Sequence, residues 1–128
     1  MLRIYETMIE VLKGLRPVAV AIEAHDGDLA RQLRRASSSV ALNISEGSGS
    51  SAGTRRERYR KALGSARETG ACLDVAMACG CIDGVDTGLL DRLDDVERGR
   101  RTERRPPAAL GRPRPRRSPS RSWRGAPC

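Results

Sequence analysis

The sequence predicts an all-α protein, an up-down-up-down four-helix bundle with a short fourth helix and a disordered C-terminal tail. Three observations carry that expectation. Apolar residues recur at steps of three and four in four successive segments, the spacing that puts them on one side of a helix. The chain has no Phe and only 2% aromatics, so its core must be built from Leu, Ile, Val, Met and Ala, which suit closely packed helices better than a sandwich needing bulky filling. After Glu97 the periodicity stops and gives way to Arg, Pro, Gly and Ser.

In the first segment Leu2, Tyr5, Ile9, Leu12, Leu15, Val18 and Ile22 form the apolar stripe. Pro17 lacks an N–H and its ring crowds the preceding turn, which predicts a kink or break near Arg16. His25-Asp26-Gly27-Asp28 ends this helix, and Asp26 or Asp28 can cap the next by accepting from its free N–H groups. The second segment carries Leu29, Leu33, Ala36, Val40 and Ile44 on one stripe. Its serines Ser37, Ser38 and Ser39 are weak helix formers whose small size lets a neighbouring helix approach. Gly47 to Gly53 reads as a loop.

Thr54 with Glu57 three residues later forms a capping-box pattern for the third helix. Tyr59, Leu63, Ala66, Gly70, Leu73 and Met77 share one face of it, with Ala62 and Ala76 beside them. Gly80-Cys81-Ile82-Asp83-Gly84 closes it. Asp86 or Thr87 can cap a fourth helix whose stripe is Leu89, Leu90, Leu93 and Val96. At about three turns this helix leaves one corner of the bundle thinly covered.

Charge divides the chain into residues 1–97, the bundle, and 98–128, an Arg/Pro-rich tail. The formal charge is +8, and 22 of the 24 basic residues are arginine. From Arg98 to Cys128 there are eleven arginines and one acid, a net +10, whereas Met1 to Glu97 carries −2. The basic character therefore belongs to the tail, which would bind any polyanion without sequence preference. The cysteines Cys72, Cys79, Cys81 and Cys128 lack zinc-knuckle spacing and the single histidine, His25, is distant, so reduced thiols in a cytoplasmic setting are expected, with no metal and no cofactor. The N-terminus lacks a basic-then-apolar signal pattern, and no apolar run approaches the ~20 residues of a membrane span.

The stretch Leu29-Ala30-Arg31-Gln32-Leu33-Arg34-Arg35-Ala36-Ser37-Ser38-Ser39-Val40, then Asn43-Ile44-Ser45-Glu46-Gly47, then Ala62-Leu63-Gly64-Ser65-Ala66-Arg67-Glu68-Thr69, resembles a known signature. Its pattern is Q-x-x-R-A, N-x-x-E-G and G-S-x-x-E, in order, over about Met1 to Leu93. It resembles the four-helix-bundle family first noticed in proteins encoded by intervening sequences of bacterial 23S ribosomal RNA genes. The resemblance implies an up-down-up-down bundle, often a homopentamer, with no established catalysis. A related branch, the accessory proteins of diversity-generating retroelements, implies a basic bundle surface engaging nucleic acid; here the bundle part is slightly acidic. Family members continue the fourth helix with an apolar repeat where this chain turns to Arg-Pro text. A frameshift in a GC-rich gene or a genuine basic tail would each produce that departure.

Two groups of polar residues stand out. Arg34, Arg35, Asn43, Glu46 and Glu68 are placed to form an interhelical salt-bridge and amide network. A carboxylate pair for acid–base or metal work is the other reading of Glu46 and Glu68, but di-metal bundles use Glu-x-x-His motifs and no histidine is at hand. Arg55, Arg56, Arg58, Arg60 and Lys61 form the dense basic run within the bundle, and Arg56 and Arg60, four apart, project a shared positive face suited to phosphates. The aromatic platforms of single-strand binders are absent, since only Tyr5, Tyr59 and Trp123 exist. The Ser48-Gly49-Ser50-Ser51 run lacks the preceding strand and the Gly-Lys-Ser/Thr ending of a phosphate loop. The sequence therefore predicts a non-enzymatic, self-associating scaffold with no membrane contact and no small-molecule substrate. The alternative is an RNA- or DNA-binding accessory factor acting through the start of helix 3.

Overall fold

The computed structural model describes residues 2–99 as four helices: α1 (Leu2–Glu23), α2 (Gly27–Ser48), α3 (Ala52–Ala78) and α4 (Thr87–Glu97). No strand occurs among the described residues. The expected disordered tail and its polyanion binding lie outside them, apart from Arg98 and Gly99. Helix α2 packs along α1 on one side and α3 on the other, and α4 closes against α1 and α3. No described helix is long and apolar enough to cross a membrane.

Helix α1 corrects the expectation of a break near Arg16 and the choice of its central row. It runs unbroken through Pro17, which is exposed. The carbonyl four residues back, which Pro17 cannot bond, belongs to exposed Lys13 and can be satisfied by water. The buried row is Ile4, Met8, Val11, Leu15, Ala19 and Ile22, whereas Tyr5, Ile9, Leu12 and Val18 of the anticipated stripe flank it, half-buried. Two apolar rows run side by side on this helix, and either satisfies a spacing of three and four; only the neighbours decide which is central.

Helix α2 buries Leu29, Leu33, Ala36, Val40 and Ile44 as its periodicity predicted, and adds Ala30, Ser37, Ala41 and Gly47. The Asp26 carboxylate caps it, accepting from the Leu29 N–H at 3.1 Å, while Asp28 instead pairs with Arg31 at 2.9 Å. Buried Ser37 donates back to the Leu33 carbonyl at 2.8 Å, so its hydroxyl brings no unmet polar group into the core. The predicted loop from Gly47 to Gly53 shrinks to residues 49–51, because α2 extends to Ser48 and α3 begins at Ala52. Gly47 is helical and buried for a steric reason: a Cβ there would lie 2.6 Å from Tyr59 Cε1.

The capping box at Thr54 and Glu57 does not form. Ser51 occupies the cap position without a side-chain bond to the backbone and donates to Thr54 Oγ1 at 3.3 Å. Helix α3 ends in a Schellman motif: Gly80 adopts φ +80°, the Gly80 N–H bonds the Met77 carbonyl at 3.1 Å and the Cys81 N–H the Ala76 carbonyl at 2.9 Å. A left-handed residue is what this closure requires, and glycine supplies it without a Cβ clash.

Asp86 caps α4 through the Leu89 N–H at 3.1 Å. Leu89, Leu93 and Val96 are buried, and Leu90 is half-buried. Two glycines let this short helix close in. Leu89 fits against Gly14 of α1, where a Cβ would stand 2.8 Å from Leu89 Cδ1, and Leu93 lies beside Gly70 of α3.

Candidate functional site

The basic run at the start of α3 is dispersed, because successive helical residues turn by about 100°. Arg55 folds back over the end of α2, its Nε donating to the Gly47 carbonyl at 3.4 Å and a terminal nitrogen to the Ser50 carbonyl at 3.1 Å. A guanidinium placed there satisfies carbonyls the helix leaves open and complements its negative end. Arg58 turns toward α2 and pairs with Glu46 at 3.1 Å, also donating to Asn43 Oδ1 at 3.4 Å.

Arg56 and Arg60 face the other way. They border a cleft of about 370 Å³ whose floor includes Ile4, Tyr59, Leu63 and Val96. Among the described residues, this is the corner that the short α4 leaves open. The Tyr59 hydroxyl is buried beside it with no hydrogen-bond partner among the described residues. Lys61 is exposed. Arg56, Arg60 and Lys61 thus make up the free part of the anticipated face, while Arg55 and Arg58 are engaged within the bundle.

The polar network forms with a different membership from the one expected. A chain of contacts crosses from α3 to α2: Arg58 to Glu46 and Asn43, then the Asn43 amide to the Ser39 carbonyl at 2.9 Å and to Ser39 Oγ at 3.1 Å. Ser39 Oγ in turn shares a hydrogen bond of 2.9 Å with Ser65 Oγ. Asn43 and Glu46 are thus joined through Arg58. Arg34 does not join them; it reaches across to α1 and pairs with Glu23 at 2.9 Å. Arg35 and Glu68 are exposed and enter no ion pair among the described residues, because their helix positions aim them outward.

Ser39, Ser65 and Arg58 are the members that pattern reading missed. Ser39 stands one turn before Asn43, and Ser65 belongs to the Gly-Ser motif, so both were visible as residues; their meeting across 26 positions was not. Neither serine hydrogen-bonds a histidine or carboxylate among the described residues. Cys72, one turn beyond Glu68 and buried, has its thiol pushed above the ordinary 9.0 by burial first and by the Glu68 carboxylate second. It is therefore a poor nucleophile at neutral pH, since the thiolate is the reactive form. No group of three His, Cys, Asp or Glu side chains among the described residues could hold a metal ion.

Fold and seam together define an all-α helical-bundle protein whose middle two helices are tied by polar contacts. The chain belongs to the family described as 23S rRNA-intervening sequence protein, whose model matches residues 2–98. No curated protein and no solved structure matches the chain.

Proposed function

We propose that this protein is a non-enzymatic scaffold that works by associating with copies of itself in the cytoplasm, with the homopentamer as the expected assembly. The observation that carries this reading is the apolar corner cleft between the start of α1, the start of α3 and the end of α4. Apolar surface left open by a short helix is stabilised by burial against another chain, at roughly 25 cal/mol per Å² removed from water. Val20 and Leu42, each 63% exposed, and Val75, 46% exposed, add apolar surface on α1, α2 and α3. A domain of this size with a small-residue core is marginal alone, and association adds stability by mass action. Light scattering across a hundredfold concentration range tests it: a single species several times the 13.9 kDa chain mass is expected, and a monomer at every concentration overturns it.

A second reading, a nucleic-acid-binding accessory factor, is favoured by Arg56 and Arg60. They stand one turn apart, exposed and without an ion pair among the described residues, as phosphate contacts require. A filter-binding assay on a chain ending at Glu97 separates this reading from binding by the Arg-rich segment. Retained affinity for RNA or DNA that falls on Arg56→Ala and Arg60→Ala supports the bundle as binder. Affinity that vanishes with the C-terminal segment removes it.

A further inference from the structure

A second cleft, of about 490 Å³, lies along the outer side of the α2–α3 pair and holds a different set of groups. Arg34, Arg35, Ser38, Asn43 and Glu46 come from α2 and Arg58 from α3. On α2, positions 34, 38 and 46 lie on one row of the i, i+4 spacing, so these side chains rise from the same side of the helix.

The electrostatics of the cleft are unequal along its length. Arg34 is held by Glu23 at 2.9 Å and Arg58 by Glu46 at 3.1 Å. Arg35, which also lines the cleft, has no ion pair among the described residues, and exposed Ser38 makes no hydrogen bond there. Three guanidiniums thus face two carboxylates. Both pairs are substantially exposed, with side-chain exposures of 46% and 56% for one and 37% and 57% for the other. At such exposure an ion pair is weak. It orders the guanidinium without consuming it, and a stronger anion can displace the carboxylate. A planar fork with parallel N–H donors matches the oxygens of a phosphate, and a nearby hydroxyl supplies a further donor.

We propose that this cleft is an anion site that takes a phosphate group, with Arg35 as first contact and Arg34 and Arg58 as flanking donors. Glu46 is its internal competitor: it aims Arg58 into the cleft and opposes the incoming charge. The site goes beyond the second reading above, since its main donors sit on α2 and Arg56 and Arg60 lie outside it.

The test uses the full chain labelled with ¹⁵N at arginine, titrated with inorganic phosphate at constant ionic strength. The Nε–H signals are assigned by loss on Arg34→Lys, Arg35→Lys and Arg58→Lys, and the fold of each variant is checked by circular dichroism. The expected result is a saturable shift of the Arg34, Arg35 and Arg58 signals with one shared midpoint. Glu46→Gln removes a full charge at ion-pair distance in a watery setting and should tighten that midpoint about fivefold. Glu68→Gln, outside the cleft, should leave it unchanged. Shifts spread evenly over Arg56, Arg60 and the arginines beyond Gly99, or a midpoint indifferent to Glu46→Gln, overturn the proposal. A second arm with a ten-nucleotide single-stranded RNA identifies the source of the phosphate. Competition with inorganic phosphate at the Arg35 signal assigns a nucleic-acid backbone; RNA shifts confined to the arginines beyond Gly99 assign a small phosphate compound.

Discussion

Helices α2 and α3, 22 and 27 residues long, and helix α4, 11 residues long, belong to one bundle but are held in different ways. The long pair meets through small residues and a polar seam. Gly47 accepts the Tyr59 ring, Ser39 bonds Ser65, and Arg58 ties Asn43 and Glu46. Helix α4 has three buried apolar side chains, Leu89, Leu93 and Val96, two of them fitted over glycines on the facing helices. Length and close backbone approach stabilise one region; a few leucines on shaped seats stabilise the other. The contrast teaches where opening should begin. A helix of about three turns is marginal by itself, so α4 should leave the bundle before the long pair separates.

Leu33→Ala and Leu93→Ala place that contrast under the heaviest load. Leu33 is fully buried in α2 and Leu93 is 4% exposed in α4, and each truncation should cost about 2–5 kcal/mol. The two losses should differ in kind. Urea unfolding of the Leu33 variant should lower the global midpoint, whereas hydrogen exchange in the Leu93 variant should lose protection across residues 87–97 and keep it in α2 and α3. Equal loss of protection everywhere in both variants would break the distinction.

Gly47→Ala comes next. A methyl group 2.6 Å from Tyr59 Cε1 must displace the ring, and overpacking of this sort costs about 1–3 kcal/mol. Because Ala favours helix over Gly by up to ~1 kcal/mol, the net loss should fall near 1–2 kcal/mol in thermal unfolding. Adding Tyr59→Ala should convert Gly47→Ala from harmful to neutral or better. A Gly47→Ala chain as stable as its parent would show that the long pair is not closely fitted there.

The caps give a smaller and more local comparison. Asp26→Ala and Asp86→Ala each remove a carboxylate that accepts from a Leu29 or Leu89 N–H at 3.1 Å, worth about 1 kcal/mol. The same loss should fray α4 visibly by amide exchange and barely alter α2, whose remaining contacts hold its first turn. Arg58→Ala should matter least to stability, at most about 0.5 kcal/mol, because the Glu46 pair is more than a third exposed and screened by water.

Cys72 supplies a pH-dependent check. Its folded-state value lies above that of the free thiol, so folding retains the proton that the unfolded chain gives up. The associated stability is complete below about pH 9 and declines as pH rises through the folded value. Alkylation of Cys72 at pH 8 should be slower than that of a free thiol. It should quicken on Glu68→Gln by less than the effect of unfolding, since burial is the larger cause. Equal rates for folded and urea-unfolded protein would contradict the burial of this thiol.

The number and approximate spans of the helices were legible in the chain itself, because apolar spacing, the Asp86 cap and the Gly80 stop are local signals. So was the central row of α2, where one apolar stripe has no rival. The continuity of α1 through Pro17, the choice of the Ile4–Met8–Val11 row over its neighbour, and the division of the arginines at the start of α3 between α2 and the open corner were not. Each depends on which surface another helix presents, and the same sequence spacing is compatible with either outcome until that surface is in place. Local pattern is set by the repeat of the helix; burial and pairing are set by partners far away along the chain, and only the packed bundle brings those together.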